Sequence, residues 1–124
     1  MTITAPDPRA LAAFYSRLLG RPVTTSEGPR PDHPPEDGWA QIRPVEGTGE
    51  PTLNFEYEEQ WKVPVWPAMA HGQNATQHLD IRVSDLQAAT THALHVGASL
   101  ADVQPQETVR VLFDPAGHPF CLFT

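Results

Sequence analysis

Two stretches of this chain carry the same pattern of apolar and polar positions. Residues Asp7 to Val23 (DPRALAAFYSRLLGRPV) superpose on Ser84 to Leu100 (SDLQAATTHALHVGASL) at one constant offset, Asp7 on Ser84, Ala12 on Ala89 and Gly20 on Gly97. In the first copy Leu11, Phe14, Tyr15, Leu18 and Leu19 recur at i, i+3, i+4, i+7 and i+8, a single apolar stripe along a helix. Asp7 is placed to cap the free amides, and Pro8 takes the first helical position, where its missing N–H costs nothing. Gly20 supplies a left-handed ending. The second copy repeats the plan with weaker residues. Ser84 is expected to cap, with Gln87 three positions on completing a capping box. Leu86, Ala89, Ala93 and Val96 form its apolar stripe, with Leu94 at the edge, and Gly97 closes it. His92 and His95 point away from that stripe and read as a solvated face.

Elsewhere the pattern alternates with the period of a strand. Ile3 to Ala5, Trp39 to Arg43 and Thr52 to Tyr57, with Pro22 to Thr25 as a further candidate, follow the first helix plan. Gln77 to Val83, Ser99 to Val103, Thr108 to Phe113 and Phe120 to Thr124 follow the second. Asp114-Pro115-Ala116-Gly117 is a turn between two antiparallel strands. Residues 26–38 carry Pro29, Pro31, Pro34 and Pro35 and cannot be regular structure. The reading is one α+β domain over residues 1–124, built of two βαβββ modules, 1–57 and 77–124, joined by a linker over 58–76. A repeat of this size does not bury a core alone, so the two modules are expected to pack together.

Composition narrows the partners. The chain has 8 Lys+Arg against 15 Asp+Glu, a net charge of −7. That balance argues against nucleic acid and against an anionic membrane. The lone Cys121 excludes an internal disulfide and points to a reducing compartment. The opening residues do not read as a signal peptide, and the longest apolar run, Phe120 to Phe123, is far too short to span a bilayer. A cytoplasmic protein is expected.

The segment QHLDIRV carries the sharpest chemistry. Leu79, Ile81 and Val83 alternate with His78, Asp80 and Arg82, so one face is apolar and the other presents an imidazole, a carboxylate and a guanidinium. Two readings stay open: a solvent-facing strand with an Asp80–Arg82 charge pair, or the wall of a cavity if the sheet curves.

Taken in order, PDPRALAAFYSRLLGRPV, WKVPVWP, QHLDIRVSDLQAA and FDPAGHPFCLF resemble the vicinal oxygen chelate superfamily. That superfamily includes glyoxalase I, bleomycin-resistance proteins, fosfomycin-resistance enzymes and extradiol dioxygenases, and the likeness is nearest to a bacterial glyoxalase-like branch. The resemblance implies that the paired modules form a cup-shaped, eight-stranded mixed sheet with helices outside. It also implies a small-molecule site in the cup, often with a divalent metal, and a homodimer.

The metal ligands are where this chain departs from the resemblance. Metal-binding members place ligands on the first and last strand of each module. His78 matches one such place; its counterpart in module one is Met1. Cys121 stands where the resemblance puts a glutamate, and Leu53 or Asn54 stands in the matching region of module one, with Glu56 nearby. One imidazole and one thiol fall short of the three protein ligands of a catalytic zinc, and oxygen-loving metals want carboxylates. No metal and no other cofactor is therefore expected; zinc, nickel, manganese or iron held with His78, Cys121 and Glu56 is the alternative. The expected pocket walls are Trp39, Phe55, Tyr57, Trp66, Phe113 and Phe123, with Asp80, Arg82 and Cys121 as polar points and His78 as the catalytic candidate. Two function classes follow. One is a binding protein of the bleomycin-resistance kind that sequesters an aromatic or cationic compound. The other is a glyoxalase-like lyase, isomerase or thiol-transferring enzyme using His78 as base.

Overall fold

Helix α1 (Pro8–Leu19) forms as its sequence prescribes: the Asp7 carboxylate accepts the Ala10 N–H at 3.0 Å, and Gly20 ends the helix at φ 64°. The computed structural model in which this is seen describes residues 1–124, and its contacts divide the chain into two units, Met1–Trp61 and Lys62–Thr124. In the first unit, β1 (Thr2–Ala5), β2 (Thr25–Glu27), β3 (Trp39–Ile42) and β4 (Leu53–Tyr57) make a four-stranded sheet in the order β1-β4-β3-β2. β1 runs parallel to β4 and the other pairs are antiparallel. Leu11, Phe14 and Tyr15 of α1 are buried together with Ala40, Ile42, Leu53 and Phe55 of the sheet. Their rings define the centre of this core: Phe14 meets Tyr15 edge-on at 5.0 Å, and Tyr15 stacks on Phe55 at 5.5 Å.

The second unit repeats the plan with β5 (Leu79–Arg82), α2 (Leu86–Val96), β6 (Ser99–Leu100), β7 (Val109–Phe113) and β8 (Pro119–Phe123), in the sheet order β5-β8-β7-β6. β5 is parallel to β8, and β7 is antiparallel to both its neighbours. Ala93, Val111, Leu112, Phe120 and Leu122 are its buried core. The α+β architecture of two βαβββ modules is thus present, with each module closing its own sheet of four strands.

Several local expectations are corrected. Asp85, not Ser84, caps α2, its Oδ1 accepting the Ala88 N–H at 2.9 Å. The helix is consequently one turn-position shorter than the repeat suggests, 11 residues against 12 for α1. Of its stripe only Ala93 is fully buried, while Leu94 is exposed. β2 begins at Thr25, not Pro22, because pairing with β3 aligns Thr25 with Gln41 and Glu27 with Trp39. β6 stops at Leu100 because a side chain replaces the rest of the strand. The Gln104 amide donates to the carbonyls of Ala101 and Val111 and accepts the Val111 N–H, at 2.9–3.0 Å.

Candidate functional site

Alternation along β3 and β4 puts Trp39 and Gln41, Asn54 and Glu56 on the face of the first sheet that α1 leaves open. Cross-strand register brings Trp39 opposite Glu56 and Gln41 opposite Asn54. These side chains, with Glu27, Arg30, Asp37 and Tyr57, line a pocket of about 540 Å³. Its polar groups are held by one another. The Trp39 indole N–H donates to Glu27 Oε2 at 2.9 Å. The Gln41 amide donates to Asn54 Oδ1 at 2.8 Å and accepts from Arg43 Nε at 2.6 Å.

The proline-rich loop supplies the rim. Asp37 is buried, and its carboxylate accepts the Arg30 backbone N–H and two guanidinium N–H groups at 2.7–3.1 Å. Those hydrogen bonds from Arg30 hold the Asp37 carboxyl well below the usual carboxylate range and raise Arg30 in return. A loop with four prolines and no ladder of its own is thereby tied at its two ends by a bidentate, charge-assisted clamp.

The second module gathers a different chemistry. β5 and β8 are parallel neighbours with Asp80 opposite Cys121, so both side chains emerge on the same face. His78, just before β5, turns back onto Asp80, its Nε2 lying 3.1 Å from Asp80 Oδ1. The ligand atoms of His78, Asp80 and Cys121 all lie within 4.8 Å of one another. Burial, and then the neighbouring Asp80 carboxylate, push the Cys121 thiol above its ordinary value, so the free thiol is protonated at neutral pH. Asp80 pairs with His78 and not with Arg82, which corrects the Asp80–Arg82 pair; Arg82 is exposed beside Phe123.

Other expected site residues fall in separate places. Phe55 is not a pocket wall: Asn54 and Glu56 on either side of it face the pocket, so Phe55 points under α1 and is fully buried on Tyr15. Trp39 and Tyr57 do line the module-one pocket. Trp66 and Phe113 line a more apolar pocket of about 530 Å³ in module two, beside the Asp114–Gly117 turn. In that turn the buried Asp114 carboxylate accepts the Ala116 and His118 N–H groups and binds the His118 ring at 2.8 Å. Glu27, Gln41, Asn54 and the Arg30–Asp37 clamp were not among the expected site residues. The alternation in WAQI and LNFEY signals Gln41 and Asn54; nothing local signals the clamp, which spans seven residues of irregular chain.

A model of the glyoxalase-like domain matches residues 1–123. The chain belongs to this family. Solved structures share its fold. A glyoxalase family protein from Enterococcus faecalis is 20% identical with a TM-score of 0.69, covering 100% of this chain and 94% of its own. A mutant of the fosfomycin resistance protein FosX from Listeria monocytogenes, complexed with Mn(II) and 1S,2S-dihydroxypropylphosphonic acid, is 12% identical with a TM-score of 0.70, covering 99% and 87%. A glyoxalase/bleomycin resistance protein/dioxygenase family enzyme from Burkholderia phytofirmans PsJN is 16% identical with a TM-score of 0.60, covering 98% and 93%. No curated protein matches the chain significantly. Together the family match and these folds identify the chain as a vicinal oxygen chelate superfamily member. No helix is long and apolar enough to cross a membrane.

Superfamily membership raises the question of a metal, and the donor set answers it. The earlier count found one imidazole and one thiol; the fold adds the Asp80 carboxylate to them. Ligand atoms around a tetrahedral zinc ion are separated by about 3.3–3.8 Å, given bonds of about 2.0–2.3 Å. A group already within 4.8 Å reaches that spacing by small rotations, and the His78 and Asp80 side chains are 45% and 60% exposed and free to make them. The residues fit a divalent ion with three protein ligands.

Proposed function

We propose that this protein is a small-molecule-binding member of the glyoxalase-like family that takes up an aromatic or cationic compound in the module-one pocket. The observation that carries this reading is the pairing of Trp39 with Glu56 across β3 and β4, an aromatic face beside an exposed carboxylate. Such a pair suits a cation, which gains from the ring quadrupole and from the carboxylate together. Gln41, Asn54 and Tyr57 add hydrogen-bonding groups around it, and the net charge of −7 favours approach of cations over anions.

The test is tryptophan fluorescence with a panel of planar cations, acridines among them. A binder quenches the emission, raises Tm by mass action and is recovered unchanged. Glu56→Gln weakens a cationic compound about tenfold, a loss of roughly 1.4 kcal/mol; equal binding by that variant sinks the assignment.

A second reading is supported by the His78–Asp80 pair, with Nε2 3.1 Å from Oδ1, an imidazole beside a carboxylate of the kind used as a general base in lyase or isomerase chemistry. Turnover that disappears in His78→Ala, with folding intact, distinguishes it from sequestration. The resemblance favours a homodimer, which light scattering tests, and the single cysteine supports a cytoplasmic setting.

A further inference from the structure

The module-one pocket holds charges of both signs that do not neutralise one another. Glu27, Glu56 and Arg30 all line it, yet Asp37 is the one carboxylate within ion-pair reach of Arg30. Glu56 is exposed and pairs with no cation.

Arg30 meets Asp37 along one side of its guanidinium only. Nε and Nη2 donate to the two carboxylate oxygens at 3.1 and 2.7 Å. The remaining N–H groups are both of those on Nη1 and one on Nη2. One from each nitrogen points off the end of the planar group, and together they make a second fork that matches a carboxylate. No acceptor of the chain fills that end, and the side chain is 64% exposed.

An exposed arginine is ordinarily mobile, but this one is held. Asp37 is buried and also accepts the Arg30 backbone N–H at 2.7 Å. Gly38, beside it, lies so close to β2 that a Cβ there would meet the Glu27 carbonyl oxygen at 2.3 Å. The far end of the loop is thus pressed onto the residue from which the loop departs. A guanidinium fixed in this way loses little further freedom when an anion binds, which favours affinity.

We propose that the compound taken up at Trp39 and Glu56 is a zwitterion, its cation on that pair and its carboxylate on the free Nη1–Nη2 edge of Arg30. The assignment rests on the cation reading of the same pocket and narrows the class. Glu27, Glu56 and the net charge of −7 oppose a free anion. A simple cation leaves the Arg30 fork unused. A compound with both charges satisfies each group and enters without net charge.

Other clusters on the chain carry less. His92 and His95 of α2 are joined by no third ligand. The Asp114 carboxylate is already filled by two backbone N–H groups and the His118 ring.

Calorimetric titration with a matched series is the test. The para-(aminomethyl)benzoate probe carries both charges, its benzamide keeps only the cation, and para-methylbenzoate keeps only the anion. The meta isomers sample a shorter span between the charges. At one span or both, the acid is expected to bind about tenfold more tightly than its amide, the scale of hydrogen bonds to a charged group. The anion alone binds weakest. The ratio of acid to amide is the readout, because any loosening of the loop weakens both alike. Arg30→Lys keeps the charge without the planar fork, and the ratio falls below about threefold. Arg17→Gln removes an exposed cation of α1 outside the pocket and leaves the ratio unchanged. A ratio near one at both spans, an undiminished ratio in Arg30→Lys, or a ratio lost in Arg17→Gln would each overturn the proposal. Circular dichroism checks the fold of each variant; should Arg30→Lys not fold, the ratio in the unaltered protein and in Arg17→Gln decides. Equal binding of acid and amide, both weakened in Glu56→Gln, removes the carboxylate site and leaves the cation reading standing. Binding of neither removes both.

Discussion

The Trp39 indole is tied to Glu27, its direct cross-strand partner, by a 2.9 Å hydrogen bond from Nε1 to Oε2. Strand β2 is only three residues long, so this bond is a sizeable part of what joins it to β3. It also sets the plane that the ring presents to the pocket. Glu27→Ala is expected to lower stability by about 0.2–1 kcal/mol, the range of such cross-strand pairs. Urea denaturation followed by circular dichroism measures it. The same variant should bind planar compounds less tightly while leaving the Glu56 carboxylate in place.

The observed and the expected cap of α2 make a paired prediction. Asp85→Ala should cost about 1 kcal/mol, because it removes the acceptor for the Ala88 N–H. Ser84→Ala should stay within about 0.5 kcal/mol, as for a surface position with no special contact. Thermal denaturation of both variants checks this, and a larger loss at Ser84 would restore the capping box.

Cys121 gives a pH dependence. Its thiol is pushed up by burial first and by Asp80 second, so the folded state favours the protonated form. For a group raised in the folded state, the associated stability is present below the ordinary thiol value and is lost as pH rises through the raised one. Metal-free protein should therefore react with iodoacetamide more slowly than a free cysteine near pH 8.5, with the rate rising only at higher pH. Asp80→Asn should move that onset down. An onset unmoved in Asp80→Asn would show that the carboxylate does not act on the sulfur.

What could be read from the sequence was whatever is decided within a few residues. Asp7, Pro8 and Gly20 bound α1 because capping and left-handed turns are local chemistry. The alternation Leu79-Asp80-Ile81-Arg82 likewise shows in the exposure of β5, its charged residues outermost. The second cap was misread because Ser84 and Asp85 are adjacent and both able; module two carries one more residue between its first strand and its cap, Val83 and Ser84 against Pro6. Phe55 was misplaced because an aromatic residue in a strand looks the same from either face, and only register with Ala40 and Tyr15 decides. The Asp80–Cys121 juxtaposition was out of reach for another reason. It depends on β8 lying beside β5 in parallel, and the two are separated by a helix and two strands. Counting ligands along the chain misses one that only strand pairing delivers.

That same parallel pairing governs the order in which each module can be assembled. In module one, Thr2 to Ala5 has a single strand neighbour, the stretch Asn54 to Tyr57. During synthesis α1 and the β2–β3 pair can form from nearby chain, while the first strand made has nothing to hydrogen-bond until β4 emerges. Closing that long loop is the slow, entropically costly step, repaid only when both ends are present. Each βαβββ unit is then a clasp whose first link is its last to fasten, and a nascent chain stopped before Leu53 would leave β1 as an open edge for another molecule to find.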